Sequence, residues 1–183
     1  MVGTCNAART NAFAGNFMPL LEWGTEFSAK WASLSDSQVN EGIRDPIKVY
    51  EYMNKFYVLE GNKRVSVLKY FKAVTVNAEV IRKVPKKSDK PEVKIYYEFM
   101  DFYKCTKLND IYFSQVGSFY TFMNLVGIEK GEEMDEDARK DLVSCYLSFK
   151  NAFDAKGGGR FDYPAGDAFL RFIHIFGYDT VKE

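Results

Sequence analysis

The stretch Phe56-Tyr57-Val58-Leu59-Glu60-Gly61-Asn62-Lys63-Arg64-Val65-Ser66-Val67-Leu68 gathers residue types that suit a phosphate group. A run of aromatic and β-branched residues with strand character ends at a single glycine, and apolar residues at helical spacing follow it. The N-terminus of a helix presents backbone N–H groups without partners and a partial positive charge. Gly61 lets a bound group approach the backbone, and Lys63 and Arg64 add two cations to the first turn. Glu60 beside the glycine can be read as a general base or, more plainly, as the ion-pair partner of Lys63 and Arg64. The patterns GxxxxGK[ST] and GxGxxG are absent, so this is neither a Walker loop nor a dinucleotide fingerprint. Spacing alone leaves open whether the junction is a site or only a turn.

Other chemistries are narrowed by what the chain lacks. Cys5, Cys105 and Cys145 are far apart and form no CxxC pair, so neither a zinc site nor a disulfide framework follows, and no metal ligand set is expected. His174 is the only histidine, which removes mechanisms needing two imidazoles; its setting Phe172-Ile173-His174-Ile175-Phe176 reads as a core helix. The acidic run from Glu129 to Asp141 lacks the alternating spacing of a calcium loop and reads as a solvated helix start. The start Met1-Val2-Gly3-Thr4-Cys5-Asn6 has no basic and apolar leader pattern, and no stretch is apolar enough to span a membrane. A cytoplasmic setting without membrane contact is the expectation.

The elements that must position the junction can be read from periodicity. Residues 1 to 21, with Arg9, Phe13 and Phe17, have no clear period and read as an arm or edge segment. Thr25 is a plausible N-cap, and Phe27, Trp31 and Leu34 give an amphipathic helix ending before Gly42. A hairpin is expected from Ile47-Lys48-Val49-Tyr50 through a turn near Asn54-Lys55 to Phe56-Tyr57-Val58-Leu59. Val65, Leu68 and Phe71 continue as a helix, and Val74, Val76, Ala78 and Val80 alternate as a strand. Beyond Pro85 to Pro91 the chain reads as helical. Helices are expected around Ile95 to Tyr103, from Phe119 to a stop at Gly127, from Asp135 to a stop at Gly157-Gly158-Gly159, and from Asp167 to Gly177.

The composition fits one domain with an appendage: 183 residues, 46% apolar, and 25 basic against 25 acidic residues. This excludes disorder, collagen-like repetition and a coiled coil as descriptions of the whole. Sixteen Phe, twelve Tyr and two Trp supply rings for a core and a surplus for a groove. The neutral total hides a cationic island: residues 44 to 94 hold 13 basic and 6 acidic residues, whereas residues 95 to 183 hold 10 and 15. That island is either a face matched internally by the acidic part or an attractor for phosphate groups.

Three segments carry a resemblance: Gly42-Ile43-Arg44-Asp45-Pro46-Ile47-Lys48-Val49, then Tyr57 to Lys69, then Val74 to Val80. Together they resemble the ParB/sulfiredoxin-like domain, known as the ParB N-terminal or ParB-like nuclease domain, over about residues 9 to 84. The resemblance implies an α+β fold: a small mixed sheet with flanking helices (1–84), a linker loop (85–92), and a mainly helical extension packed on it (93–183). It implies a nucleotide, CTP or ATP/ADP with Mg2+, whose phosphates meet Gly61, Asn62, Lys63 and Arg64, with Arg9 and Arg44 near the pocket. The partners it implies are the nucleotide, DNA and a second copy of the chain as a homodimer, in a bacterial regulator or partition-type protein.

The chain departs from the family's branches at named places. Asn62 stands where sulfiredoxins place a reactive cysteine, so their reductase chemistry is not expected. The second motif and basic helix-turn-helix of partition proteins are not visible. The phrases Asn16-Phe17-Met18-Pro19-Leu20, Glu60 to Lys69 and Lys94-Ile95-Tyr96-Tyr97-Glu98-Phe99 look like a variant fused to solute-binding modules of the basic-membrane-protein type, which would make the chain a piece of a longer protein. Three functions follow as expectations: a nucleotide-binding regulatory or DNA-associated module, a small kinase or phosphohydrolase using Glu60 as catalytic base, or an interaction domain without ligand chemistry.

Overall fold

The computed structural model describes residues 1–7, 10–20, 22, 24–73 and 75–181. The chain divides into two compact units, Met1–Pro85 and Lys86–Glu183. Its class is α+β, with a four-stranded mixed sheet in the first unit and helices filling the second.

In the first unit, β1 (Gly3–Thr4), α1 (Glu26–Asn40), β2 (Ile47–Tyr52), β3 (Lys55–Glu60), α2 (Asn62–Tyr70) and β4 (Ala78–Arg82) follow in order. Thr25 caps α1 by accepting from the Ser28 N–H at 3.2 Å, a contact worth about 1 kcal/mol. Met53 and Asn54 both take positive φ, 52° and 60°, which makes the tight turn between β2 and β3. The sheet order is β1-β3-β2-β4; β2 and β3 run antiparallel, whereas β1 with β3 and β2 with β4 run parallel. One face of β2 is buried through Ile47, Val49 and Glu51, and a core forms from Phe17, Ile47, Val49, Val58 and Val65. Buried Glu51 is satisfied by the Asn54 N–H at 2.7 Å and by Arg82 at 2.7 Å. A smaller cluster joins Ala12, Phe13 and Phe27, with Trp31 against it.

The last strand starts later than its alternation suggests, at Ala78. Val74 lies outside the described residues, and Thr75 to Asn77 are not in the sheet. Ile47 pairs with Ala78 and its N–H donates to the Asn77 carbonyl at 2.9 Å; the residue before Ile47 is a proline without an N–H, so the ladder goes no further.

The second unit holds α3 (Pro91–Thr106), α4 (Ser118–Val126), α5 (Glu136–Ala155) and α6 (Ala165–Phe176). Pro91, assigned above to the linker, opens α3, where its fixed φ and missing N–H suit the first turn. Tyr96, Phe99, Phe102, Phe113, Phe119, Phe122 and Phe169 are fully buried. Their rings meet at centroid distances such as 4.7 Å for Phe113 with Phe119 and 5.9 Å for Phe122 with Phe169. Two buried carboxylates organise the loops. Glu98 accepts from the Gly117 N–H at 2.8 Å, and Asp167 accepts from the Ser114 N–H at 3.1 Å. Asp135 caps α5 and the acids behind it sit in its first turn, so the acidic run is a helix start. His174 is in a helix but exposed, contrary to the core position expected from its neighbours. The buried side of α6 is set by Phe169 and Ile173, and the next residue turns about 100° away from it.

Candidate functional site

The strand-glycine-helix junction of Met1–Pro85 lies on an open cleft of about 410 Å³. Gly61 ends β3 and precedes α2 with φ 97° and ψ 22°, in the left-handed region. A Cβ there would lie 2.6 Å from the Ile47 Cγ2, so both the backbone angle and the space require glycine. Gly61, the N-cap residue, has no side chain to accept from the first turn of α2.

The cleft is lined by Gly61, Asn62, Lys63 and Arg64 together with Glu60, as the sequence reading expects, and each has a definite state. Asn62 is 7% exposed and its Oδ1 is buried without a hydrogen-bond partner. The Lys63 Nζ lies 4.6 Å from the centroid of the Phe27 ring. Arg64 Nη1 donates to the carbonyls of Pro46 at 2.6 Å and Asp45 at 3.1 Å, so this guanidinium also staples the chain entering β2. Glu60 is exposed and pairs with Lys48 at 3.6 Å, not with Lys63 or Arg64 as its neighbours suggest. The exchange follows from the sheet, because Lys48 is the cross-strand partner of Glu60. Arg44 is exposed and outside the described lining, and Arg9 lies outside the described residues.

The cleft also takes in residues that the sequence reading did not single out: Asn6, Phe13, Leu34, Asp45 and Leu59. Leu59 enters through a bulge. Lys48 pairs with Glu60 and Val49 with Val58, which leaves Leu59 as the extra residue and re-aims the strand end. Asp45 was within reach of sequence reasoning, because an antiparallel hairpin sets the residues before Ile47 beside those after Glu60. Asn6 follows β1, whose Val2 N–H and Cys5 N–H donate to the Phe56 and Val58 carbonyls at 2.9 and 2.8 Å. Those bonds are between main chains, and no side-chain pattern announces them.

Chemically, the cleft lining combines the start of α2 and two cations, Lys63 and Arg64, with two acidic residues, Asp45 and Glu60. A bare dianion gains from the first set and is opposed by the second. Among the described residues no group of three or more metal-ligating side chains occurs. Two carboxylates with phosphate oxygens and water would nevertheless suit Mg2+, a hard cation that keeps much of its hydration. No family model matches the chain, and no curated protein or solved structure shows significant similarity to it.

Proposed function

We propose that Met1–Pro85 is a phosphate-binding module whose ligand is a nucleotide, acting in regulation or in association with DNA. The observation that carries the reading is the N-terminus of α2, with a left-handed glycine as its N-cap, opening on a cleft lined by Lys63 and Arg64 of its own first turn. The buried Asn62 Oδ1 in the same lining has no partner; as an acceptor it would be satisfied by a hydroxyl or amino donor of a nucleotide's sugar or base, not by a phosphate oxygen. The resemblance to ParB/sulfiredoxin-like domains adds support from the order helix, hairpin, glycine junction, helix, strand. Asp45 and Glu60 would hold Mg2+ against the phosphates, and the metal would neutralise charge there. Glu60 is exposed and ion-paired, an arrangement that favours a binding role for the cleft over general-base catalysis.

The test is a melting series of the full chain with CTP, ATP, ADP and inorganic phosphate, each with Mg2+. A ligand present at about 100 times its Kd stabilises by about 2.7 kcal/mol. Lys63→Gln should remove much of that gain, read against the variant's own unliganded melting point because the contact of Lys63 with the Phe27 ring is lost as well. Arg64→Ala is the poorer variant, because it also frees two carbonyls that Arg64 now satisfies. Unchanged melting in millimolar nucleotide overturns the proposal.

A further inference from the structure

A second cavity, of about 400 Å³, lies within Met1–Pro85 against α1 and the last residue of α2. Its walls include Met18, Phe27, Trp31 and Tyr70. The Trp31 and Tyr70 rings meet edge to face, 5.5 Å apart and inclined at 81°, which makes two perpendicular aromatic walls. The Trp31 indole N–H is already donated to the Ser66 hydroxyl at 2.9 Å, so Trp31 brings ring surface to the cavity and no free donor.

Two polar groups in the lining are not consumed by the fold. Ser35 Oγ is buried with no hydrogen-bond partner, a state that folding alone does not favour. Asp36, next to it, is exposed and forms no ion pair among the described residues. Aromatic faces attract an ammonium through their quadrupole, and an unpaired carboxylate supplies the countercharge. The same part of the molecule already uses this contact: Lys63 and Lys69 sit 4.6 and 4.9 Å from the centroids of Phe27 and Phe17.

We propose that this cavity is a second binding site, for a small organic ammonium ion carried on an aromatic or branched apolar body. The body fills the space between Phe27, Trp31 and Tyr70, and the ammonium faces Asp36 and a ring. The volume is in the range of small-molecule sites, roughly 300 to 1,000 Å³. The inference stands apart from the phosphate reading, since the two cavities share no lining residue among those described.

The experiment titrates the full chain with phenethylamine, its neutral isostere 2-phenylethanol and the anion 3-phenylpropionate, followed by ligand-observed NMR. The amine should bind about tenfold more tightly than the alcohol, and the carboxylate least of all. Asp36→Asn, a surface change that leaves folding intact, should erase the preference of amine over alcohol. Tyr70→Leu should weaken both. Equal binding of amine and alcohol to the wild type, a preference that survives Asp36→Asn, or no binding at millimolar concentration would each overturn the proposal. Added inorganic phosphate should leave the amine titration unchanged, and displacement by phosphate would overturn the separation of the two sites.

Discussion

The two units differ in where their unsatisfied buried polar atoms lie. In Lys86–Glu183, the carboxylates of Glu98 and Asp167 are buried and each is satisfied by the N–H of a loop residue. They sit beside an aromatic core in which rings touch rings from α3 to α6. In Met1–Pro85, Glu51 is satisfied in the same way, but Asn62 Oδ1 and Ser35 Oγ are buried without partners and both residues line cavities of about 400 Å³; in Lys86–Glu183 Arg139 Nε is also buried without a partner, but Arg139 lines none of the described cavities. The main core cluster of Met1–Pro85 is mostly aliphatic, with Ile47, Val49, Val58 and Val65 around Phe17. Stability and binding make different demands on a polar group. A carboxylate that closes a loop is used up by folding, whereas a buried oxygen without a partner beside a cavity is left unsatisfied by folding. That placement supports the proposal that the sheet unit binds the ligand, with the helical unit as a scaffold.

The largest expected effect tests the scaffold half of that comparison. Phe119 is fully buried and meets Phe99, Phe102 and Phe113 at 5.8, 5.5 and 4.7 Å. Phe119→Ala should destabilise Lys86–Glu183 by about 3–5 kcal/mol through lost transfer energy and the cavity left behind. Amide exchange in α3 and α4 should accelerate by a matching factor, and a variant with wild-type protection would break the reading. The next effect tests the binding half. Gly61→Ala forces a Cβ to within 2.6 Å of Ile47 and a left-handed backbone onto alanine. A loss of about 2–3 kcal/mol in urea unfolding of the sheet unit follows. Wild-type stability would mean that the junction is an ordinary turn.

Much of this arrangement is legible in the residues themselves. Gly127 and Gly177 end α4 and α6 as their positions predict, because a helix that needs a positive φ, or an unencumbered residue, at its C-terminal boundary selects glycine. The junction at Gly61 is legible for the same reason: the period of the apolar residues changes from two to 3.6 across one glycine. What is not legible depends on partners distant in the chain. The β1 strand has two residues and forms through main-chain bonds to β3, so no alternation reveals it. The pairing of Glu60 with Lys48 and the stapling of Asp45 and Pro46 by Arg64 are set by the register of β2 against β3. Charge proximity in sequence pointed Glu60 to Lys63 and Arg64; the sheet decided otherwise. Ser35 and Asp36 gave no signal, since two polar residues on an amphipathic helix look like any solvated face.

The smallest effect sharpens the comparison at the surface, where the helical unit again satisfies its charges. Asp101 pairs with Lys130 at 2.8 Å and accepts from the Tyr120 hydroxyl at 2.9 Å. Partial burial would raise the Asp101 pKa, but hydrogen bonds from Lys130 and Tyr120 and the charges of Lys130 and Lys104 outweigh it, and the net shift is downward. A carboxylate with a depressed folded pKa contributes stability that is present above its unfolded value, near 3.8, and is lost as pH falls through the folded value. Tyr120 is shifted upward, first by burial and then by its bond to Asp101, so its proton is held until the pH passes its ordinary value near 10. The network therefore acts between those limits. Asp101→Asn should lower Tm by roughly 1–3 °C at neutral pH, the scale of a partly exposed pair. The difference should shrink below about pH 3, where the wild-type carboxyl is protonated as well. It should also shrink in molar salt, because an exposed pair is screened. A Tm difference that stays constant from neutral pH down to about pH 2 would show that Asp101 acts by shape and not by charge.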